Sequence, residues 1–251
     1  MSANYHTHTK RCHHAYGEDR EYIEAAIGAG FEALGFSDHC PWIFSDGFVS
    51  TIRMTASETD EYFSSLERLR EEYKKDIEIL IGFEAEYLPP LMEAQDKFLR
   101  EFPVDYMILG QHYVGAESYE NYAGKETKSE DKLTGYVDLC IEGMRSGRYR
   151  YLAHPDLIHY IGDDGIYKRE MRRLCETLKE MDCIIEMNIL GMKMHRNYPN
   201  PVFWQIAKEV GNRVIIGMDA HEPQQLANKK TVERAKRLCE GMKMVEHLDI
   251  K

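Results

Sequence analysis

The chain has 251 residues, with 32 basic against 43 acidic residues, a net charge of −11 with histidine neutral and a hydrophobic fraction of 43%. That balance repels long nucleic acids unless bound cations or a basic groove offset it locally, and no apolar run reaches the length of a membrane span, so a small substrate is the expected partner. The six cysteines (12, 40, 140, 175, 183 and 239) lack CxxC spacing, and Met-Ser-Ala-Asn lacks the basic and apolar regions of a signal peptide, which makes a reduced, cytoplasmic protein the expectation.

The stretch Tyr5 to Tyr16 packs four imidazoles, His6, His8, His13 and His14, into nine residues after a short apolar start. Residues two apart in extended backbone share a side, so His6 and His8 can present two nitrogens to one ion. With 11 histidines in the chain such a pair is a weak signal alone. Glu18 to Ile27 then reads as a helix closed by Gly28-Ala29-Gly30, and Phe31 to Phe36 as a buried strand ending at Ser37-Asp38-His39. A loop through Pro41, Trp42 and Gly47 precedes a charged helix from about Ser57 to Lys75. Ser57 and Asp60 have capping spacing, and the stripe Tyr62, Leu66, Leu69 and Tyr73 reads as core packing. Ile77 to Phe83 is a continuous apolar strand that terminates at Glu84. Pro90 to Phe102 reads as helical, and Asp105 to Gly110 as a strand running into Gln111-His112.

The polar segment Gly115 to Glu130 reads as a surface loop and Leu133 to Ser146 as the following helix. Arg150 to Ala153 is a short strand delivering His154-Pro155-Asp156. A helix from Tyr167 to Glu180 leads to the strand Cys183 to Met187, ending at Asn188, and a loop of Gly191 to Asn200 precedes a helix from about Pro201. Arg213 to Gly217 is the last strand and delivers Asp219-Ala220-His221, and Gln224 to His247 reads as mostly helical. Seven strand-then-helix units without a composition break imply a parallel sheet in a single domain over 1–251. His6/His8, His39, Glu84, His112, His154, Asn188 and Asp219/His221 each fall at the C-terminal end of a different strand. That placement favours an α/β fold closed as a distorted, TIM-like (β/α)7 barrel, because an open sheet would focus its ligands on one crevice.

The ordered set is His6-x-His8, His14, His39 in Ser-Asp-His, Glu84 in Gly-Phe-Glu-Ala-Glu-Tyr-Leu-Pro, His112 in Gly-Gln-His, His154 in Ala-His-Pro-Asp, and Asp219-x-His221 in Gly-Met-Asp-Ala-His-Glu-Pro. It resembles the PHP (polymerase and histidinol phosphatase) family from Tyr5 to about Pro223, with a matching residue type at all nine family ligand positions. The Gly-Phe-Glu-x-x-Tyr-Leu-Pro run and the loop with Tyr198-Pro199 look most like the histidinol-phosphate phosphatase branch. Seven imidazoles and two carboxylates suit zinc, manganese or iron, and the lack of clustered thiolates argues against a structural zinc site, which would be closed with about four ligands.

The resemblance implies that His6, His8, Glu84 and Asp219 hold one ion, that Glu84 bridges to a second held by His112 and His154, and that His14, His39 and His221 hold a third. The family pattern selects His14 over His13. Two or three divalent ions so arranged lower the pKa of a shared water to about 7 and hold a phosphoryl group, with Glu84, Asp219 and His221 as catalytic residues. The expected activity is hydrolysis of a small phosphate monoester, L-histidinol phosphate first. The alternative is a phosphoesterase acting on nucleotides or nucleic-acid ends. The residues specify no oligomeric state.

For the substrate phosphate, Arg196 in the loop Gly191 to Pro199 is the leading candidate, because a planar guanidinium meets two phosphate oxygens at once. Lys193, His195 and Arg11 stand behind it, and Glu86 and Asn188 are further candidates for the pocket. His159 and His247 read as surface residues, Cys12 and Cys40 as small buried thiols, and Asp38 and Asp156 as partners that orient an imidazole or cap a turn. Met218 departs from the small residue expected before Asp-x-His, which leaves the ligands intact and the pocket shape open.

Overall fold

The computed structural model describes residues 1–250. Its sheet has eight parallel strands in chain order: β1 (Ala3–Asn4), β2 (Ala33–His39), β3 (Glu78–Ala85), β4 (Tyr106–Leu109), β5 (Tyr151–Leu152), β6 (Ile184–Asn188), β7 (Arg213–Gly217) and β8 (Lys243–Met244). The sheet curls until its two sides meet. At the C-terminal ends of the strands, His8 N donates to Ala220 O at 2.9 Å and Ala220 N to His6 O at 3.2 Å. At the opposite end β8 lies beside β7, with Val245 N donating to Val214 O at 2.7 Å, and Leu248 N donates to the Tyr5 hydroxyl at 3.1 Å. The expected parallel α/β barrel is therefore present, with one strand beyond the seven read from sequence. Helix α8 (Lys229–Leu238) ends early, and the turn after it sends Lys243 and Met244 along β7 where continued helix was expected.

The other helices are α1 (Asp19–Ala29), α2 (Thr59–Tyr73), α3 (Pro89–Leu99), α4 (Glu130–Arg145), α5 (Asp164–Glu180), the short α6 (Ile189–Lys193) and α7 (Pro201–Val210). Side chains at their N-termini take up backbone amides that have no partner within the helix: Ser129 accepts from Lys132 N at 3.2 Å and Asp163 from Ile166 N at 3.0 Å. Before α2 the capping pair is Thr55 with Glu58, whose Oε2 accepts from Thr55 N at 2.7 Å, because a 3-10 turn over Ala56–Glu58 precedes the helix; this corrects the Ser57/Asp60 reading. No helix among the described residues is long and apolar enough to cross a membrane.

Strand alternation sorts the side chains into two layers. Ile81 and Phe83 of β3, Met107 and Leu109 of β4 and Ile185 and Met187 of β6 face the helices, where Phe83 packs on Tyr62 (ring centroids 5.3 Å apart) and Phe63 (5.8 Å) of α2. Tyr5, Tyr106, Ile108, Tyr151, Ile184 and Ile215 form the second layer, inside the barrel. By the same alternation Glu84 and Glu186 also point inward, one level higher. The register sets His39 beside Glu84 and Asn188 beside Gly217. The barrel is thus apolar at its base and carries its ionisable groups at the C-terminal ends of the strands.

Candidate metal centre

Glu84 stands at the middle of the upper level, and glycine makes room for it. A Cβ at Gly110 would collide with the Glu84 carboxylate, and one at Gly217 with the Glu186 carboxylate. Glu84 Oε1 lies 2.8 Å from His154 Nε2, 3.4 Å from His6 Nε2 and 3.6 Å from His112 Nε2. Its Oε2 faces His39 Nδ1 at 3.1 Å and His8 Nε2 at 3.6 Å. Asp219 Oδ1 lies 3.1 Å from His8 Nε2 and 3.6 Å from His6 Nε2. At the rim, one nitrogen from each of His14, His39 and His221 lies within 4.8 Å of the other two. The structure therefore brings together all nine residues read as ligands: His6, His8, His14, His39, Glu84, His112, His154, Asp219 and His221.

Three observations show that this donor set fits metal ions. Two donors each about 2.1 Å from one ion at tetrahedral angles lie about 3.4 Å apart, close to the separations above. Five imidazoles donate their Nδ1–H outward: His6 to Glu186 Oε1 (2.7 Å), His8 to Asp38 Oδ1 (3.3 Å), His14 to Cys12 O (2.7 Å), His112 to Glu86 Oε1 (3.0 Å) and His221 to Asp219 O (3.0 Å). That fixes the tautomer and leaves Nε2 as the ligand atom, the arrangement of metal-binding histidines generally. Finally, His6 Nε2, His8 Nε2, His39 Nδ1, His154 Nδ1 and Glu84 Oε2 are buried without a hydrogen-bond partner among the described residues. Atoms of that kind are costly unless something binds them.

The charges agree. Glu84, Asp219, Glu186 and Asp38 are buried, and no lysine or arginine among the described residues pairs with any of them. Burial disfavours the ionised forms of Glu84 and Asp219, yet His112, His6 and His39 hold Glu84 well below the usual carboxylate range, and His6, His8 and His221 do the same for Asp219. Burial and the neighbouring His8 push His221 down to about 3 and His39 well below the ordinary imidazole value. His14, His39 and His221 are thus favoured in the neutral form that a cation requires, whereas the surrounding carboxylates raise His6, His8 and His112, so that cations binding there would displace protons from these three. Backbone strain sits here as well: His154 (φ 27°) and Asp219 (φ 51°) adopt the left-handed region, which side chains other than glycine rarely occupy.

Above the centre opens a cavity of about 620 Å³. Arg196 and Lys193 line it, as expected of phosphate-binding candidates, and Tyr119, Tyr122, Tyr198 and Glu222 form other parts of its wall. The other candidates are not on this wall. Arg11 is buried and committed elsewhere: its guanidinium grips Asp19 through two 2.8 Å bonds and Glu61 through two more. Glu86 is neither cavity-lining nor solvated; it accepts from His112, Arg53 and Trp42. Asn188 caps α6 and donates to Glu186 (2.9 Å) and Asp219 (3.1 Å), and His195 is exposed outside the cavity. Met218 packs into the core, so it does not shape the pocket. His13 is exposed and turned toward Glu58, 3.7 Å away. Cys12 is buried within 4.8 Å of His8 and His221 nitrogens, and burial pushes its thiol pKa up, which keeps it protonated.

Sequence reasoning missed Glu186, which accepts from His6 Nδ1, from His154 N at 3.1 Å and from Asn188 and so orients two ligand residues at once. Its signal was a lone carboxylate inside the apolar run Ile-Ile-Glu-Met, two residues before Asn188 and so on the same inward face.

A parallel α/β barrel whose strand ends bring nine imidazole and carboxylate donors together beneath one cavity defines the class: a barrel built around a candidate metal-binding centre. A PHP domain model matches residues 4–189, more than half of the chain, and the protein belongs to the PHP domain family. It is 28% identical over 230 residues to a Deinococcus radiodurans protein named "Probable histidinol-phosphatase", covering 88% of this chain and 86% of that one. Bacillus subtilis "Histidinol-phosphatase" is 27% identical over 251 residues, covering 86% of this chain and 92% of the relative. The fold matches the crystal structure of Lactococcus lactis histidinol phosphate phosphatase complexed with zinc, L-histidinol and phosphate, with a TM-score of 0.70 at 18% identity, covering 98% of this chain and 96% of that one.

Proposed function

We propose that this protein is a metal-dependent phosphomonoesterase that hydrolyses L-histidinol phosphate to L-histidinol and phosphate, a cytoplasmic step of histidine biosynthesis. The observation that carries the reading is the ring around Glu84, with ligand nitrogens turned inward beneath a cavity that holds Arg196. The names of the relatives and the ligands of the Lactococcus lactis structure support the substrate. All six cysteines are free thiols, the state a reducing compartment maintains.

In this reading His6, His8, Glu84 and Asp219 hold one ion, Glu84 with His112 and His154 a second, and His14, His39 and His221 a third, each zinc, manganese or iron. Bound divalent ions supply Lewis acidity, neutralising phosphate charge and lowering the pKa of water to about 7. The chain's own residues position the substrate. Arg196 donates one Nη1–H to the Tyr198 hydroxyl at 2.9 Å, which orients the guanidinium and leaves its other donors for the outward phosphate oxygens. Glu222, Tyr119 and Tyr122 line the same cavity as Arg196. A phosphate at one end of the substrate, with a protonated amine and a flat heteroaromatic ring at the other, matches both sets of groups.

The test is a panel of L-histidinol phosphate, nucleoside monophosphates and a single-stranded oligonucleotide, with Zn²⁺ and Mn²⁺ supplied separately. L-histidinol phosphate is expected to give the highest kcat/KM, and a higher value on a nucleotide or the oligonucleotide would reassign the substrate. Arg196→Ala is expected to lower kcat/KM about 10- to 100-fold, the cost of a charged hydrogen bond of about 1.5–3 kcal/mol, without releasing metal. Arg196→Lys restores only part of this, because a point charge cannot reproduce the fork. Unchanged kinetics in the alanine variant at intact metal content would move the phosphate anchor to another residue.

A further inference from the structure

Arg53 lies outside the cavity and is almost wholly buried at 1% exposure, yet its guanidinium reaches two separate parts of the site. Nη1 and Nη2 donate to the two oxygens of Glu86 at 3.1 and 3.0 Å, and Nη1 also donates to Cys40 O at 3.1 Å. Glu86 Oε1 is the acceptor that fixes His112 Nδ1, while Oε2 accepts from Trp42 Nε1 at 3.0 Å. On its other side, Arg53 Nε donates to Glu117 Oε2 at 2.8 Å, and Ser50 Oγ donates to Glu117 Oε1 at 2.6 Å.

Glu117 stands at the tip of a hairpin-like excursion from the barrel. Its base is His112, whose carbonyl accepts from Ala123 N at 2.7 Å, and its arms are joined by Val114 N donating to Asn121 O at 2.9 Å. The rings of Tyr113 and Tyr122 lie across the arms, centroids 5.9 Å apart, and Tyr113, Tyr119 and Tyr122 all face the cavity. One guanidinium therefore holds the base of this excursion through Glu86 and His112, and its tip through Glu117.

We infer that Arg53 is a positioning residue with two arms: through Glu86 it orients the His112 imidazole, and through Glu117 it fixes the tyrosine wall of the cavity. The first arm rests on the reading of His112 as a metal ligand; the second does not. Buried side-chain partners of this kind set the placement of a ligand imidazole, and a planar fork holds two carboxylates in fixed relation where an ammonium cannot. The wall against which the substrate packs and one ligand of the metal centre are thereby placed by a single side chain.

Arg53→Ala would leave two carboxylates stranded and risks unfolding, so the test uses Arg53→Lys and Glu117→Gln in the full chain. Three quantities are read: amide hydrogen exchange over residues 113–122, metal retained against a chelator, and KM for L-histidinol phosphate. Glu117→Gln is expected to speed exchange over 113–122 and raise KM about 3- to 10-fold, as loss of a positioning contact does, with metal retained as in the wild type. Arg53→Lys is expected to show the same exchange and KM changes and, in addition, metal retention weakened about 10- to 100-fold. Wild-type exchange in either variant overturns the hairpin arm, and wild-type metal retention in Arg53→Lys overturns the His112 arm. Metal loss in Glu117→Gln equal to that in Arg53→Lys overturns the separation of the two. If the wild type turns over no phosphate monoester, the proposed function fails, while the exchange and metal measurements still decide the role of Arg53.

Discussion

Glu84→Gln is expected to lower kcat by at least about 1,000-fold, some 4 kcal/mol of transition-state stabilisation, with the fold retained. Glutamine has nearly the same shape, so the buried volume at this position is preserved. What changes is charge and polarity. Oε1 now faces nitrogens of His154, His6 and His112, and Oε2 faces those of His39 and His8. An amide replaces one of these acceptors with an NH₂ donor and removes the negative charge on which both groups of imidazoles converge. In the proposed arrangement residue 84 would no longer supply the negative charge that holds ions close to both groups of imidazoles. Kinetics, metal analysis and far-UV circular dichroism on the same preparation check this. Near-normal turnover would mean that the centre is misplaced.

Much of the candidate ring was legible from sequence because several of its donors end or closely follow an apolar run. Ile-Leu-Ile-Gly-Phe closes on Glu84, Tyr-Met-Ile-Leu runs toward His112, and Val-Ile-Ile-Gly runs toward Asp219 and His221. A parallel strand buried on both faces reads as such a run, and its C-terminal end is where this architecture collects function. What supports the ring was not legible, because it depends on neighbours distant in sequence. Arg11 sits among histidines and reads as a phosphate ligand, yet the 3-10 turn over Lys10–Cys12 directs it to Asp19 and Glu61. Glu86 reads as pocket or solvent, and only the arrival of Arg53 from an irregular loop makes it a buried partner of His112. Strand β8 is two exposed residues without an apolar pattern, so its pairing with β7 has no local signature. Glu186 is the exception, since strand parity alone could have placed it inward.

Stripping the metal is expected to abolish turnover and to lower Tm by about 8–16 °C. Ions bound to the native state at roughly 1,000 times their dissociation constant stabilise it by about 4 kcal/mol. Each kcal/mol is worth about 2–4 °C in a chain of this size. The buried carboxylates explain why the loss should be felt in stability as well as activity. Without cations, Glu84, Asp219, Glu186 and Asp38 have only imidazoles, backbone amides and neutral side chains as partners, and five buried ligand-type atoms have none. Adding Zn²⁺ or Mn²⁺ separately to the stripped protein should restore both properties, and acidification should release the metal, because imidazoles must be neutral to bind it. Calorimetry before and after chelation, with elemental analysis of untreated protein, measures the effect. More than one equivalent of transition metal per chain is expected. One equivalent or less, with turnover and Tm that survive the chelator, would sink the multinuclear reading.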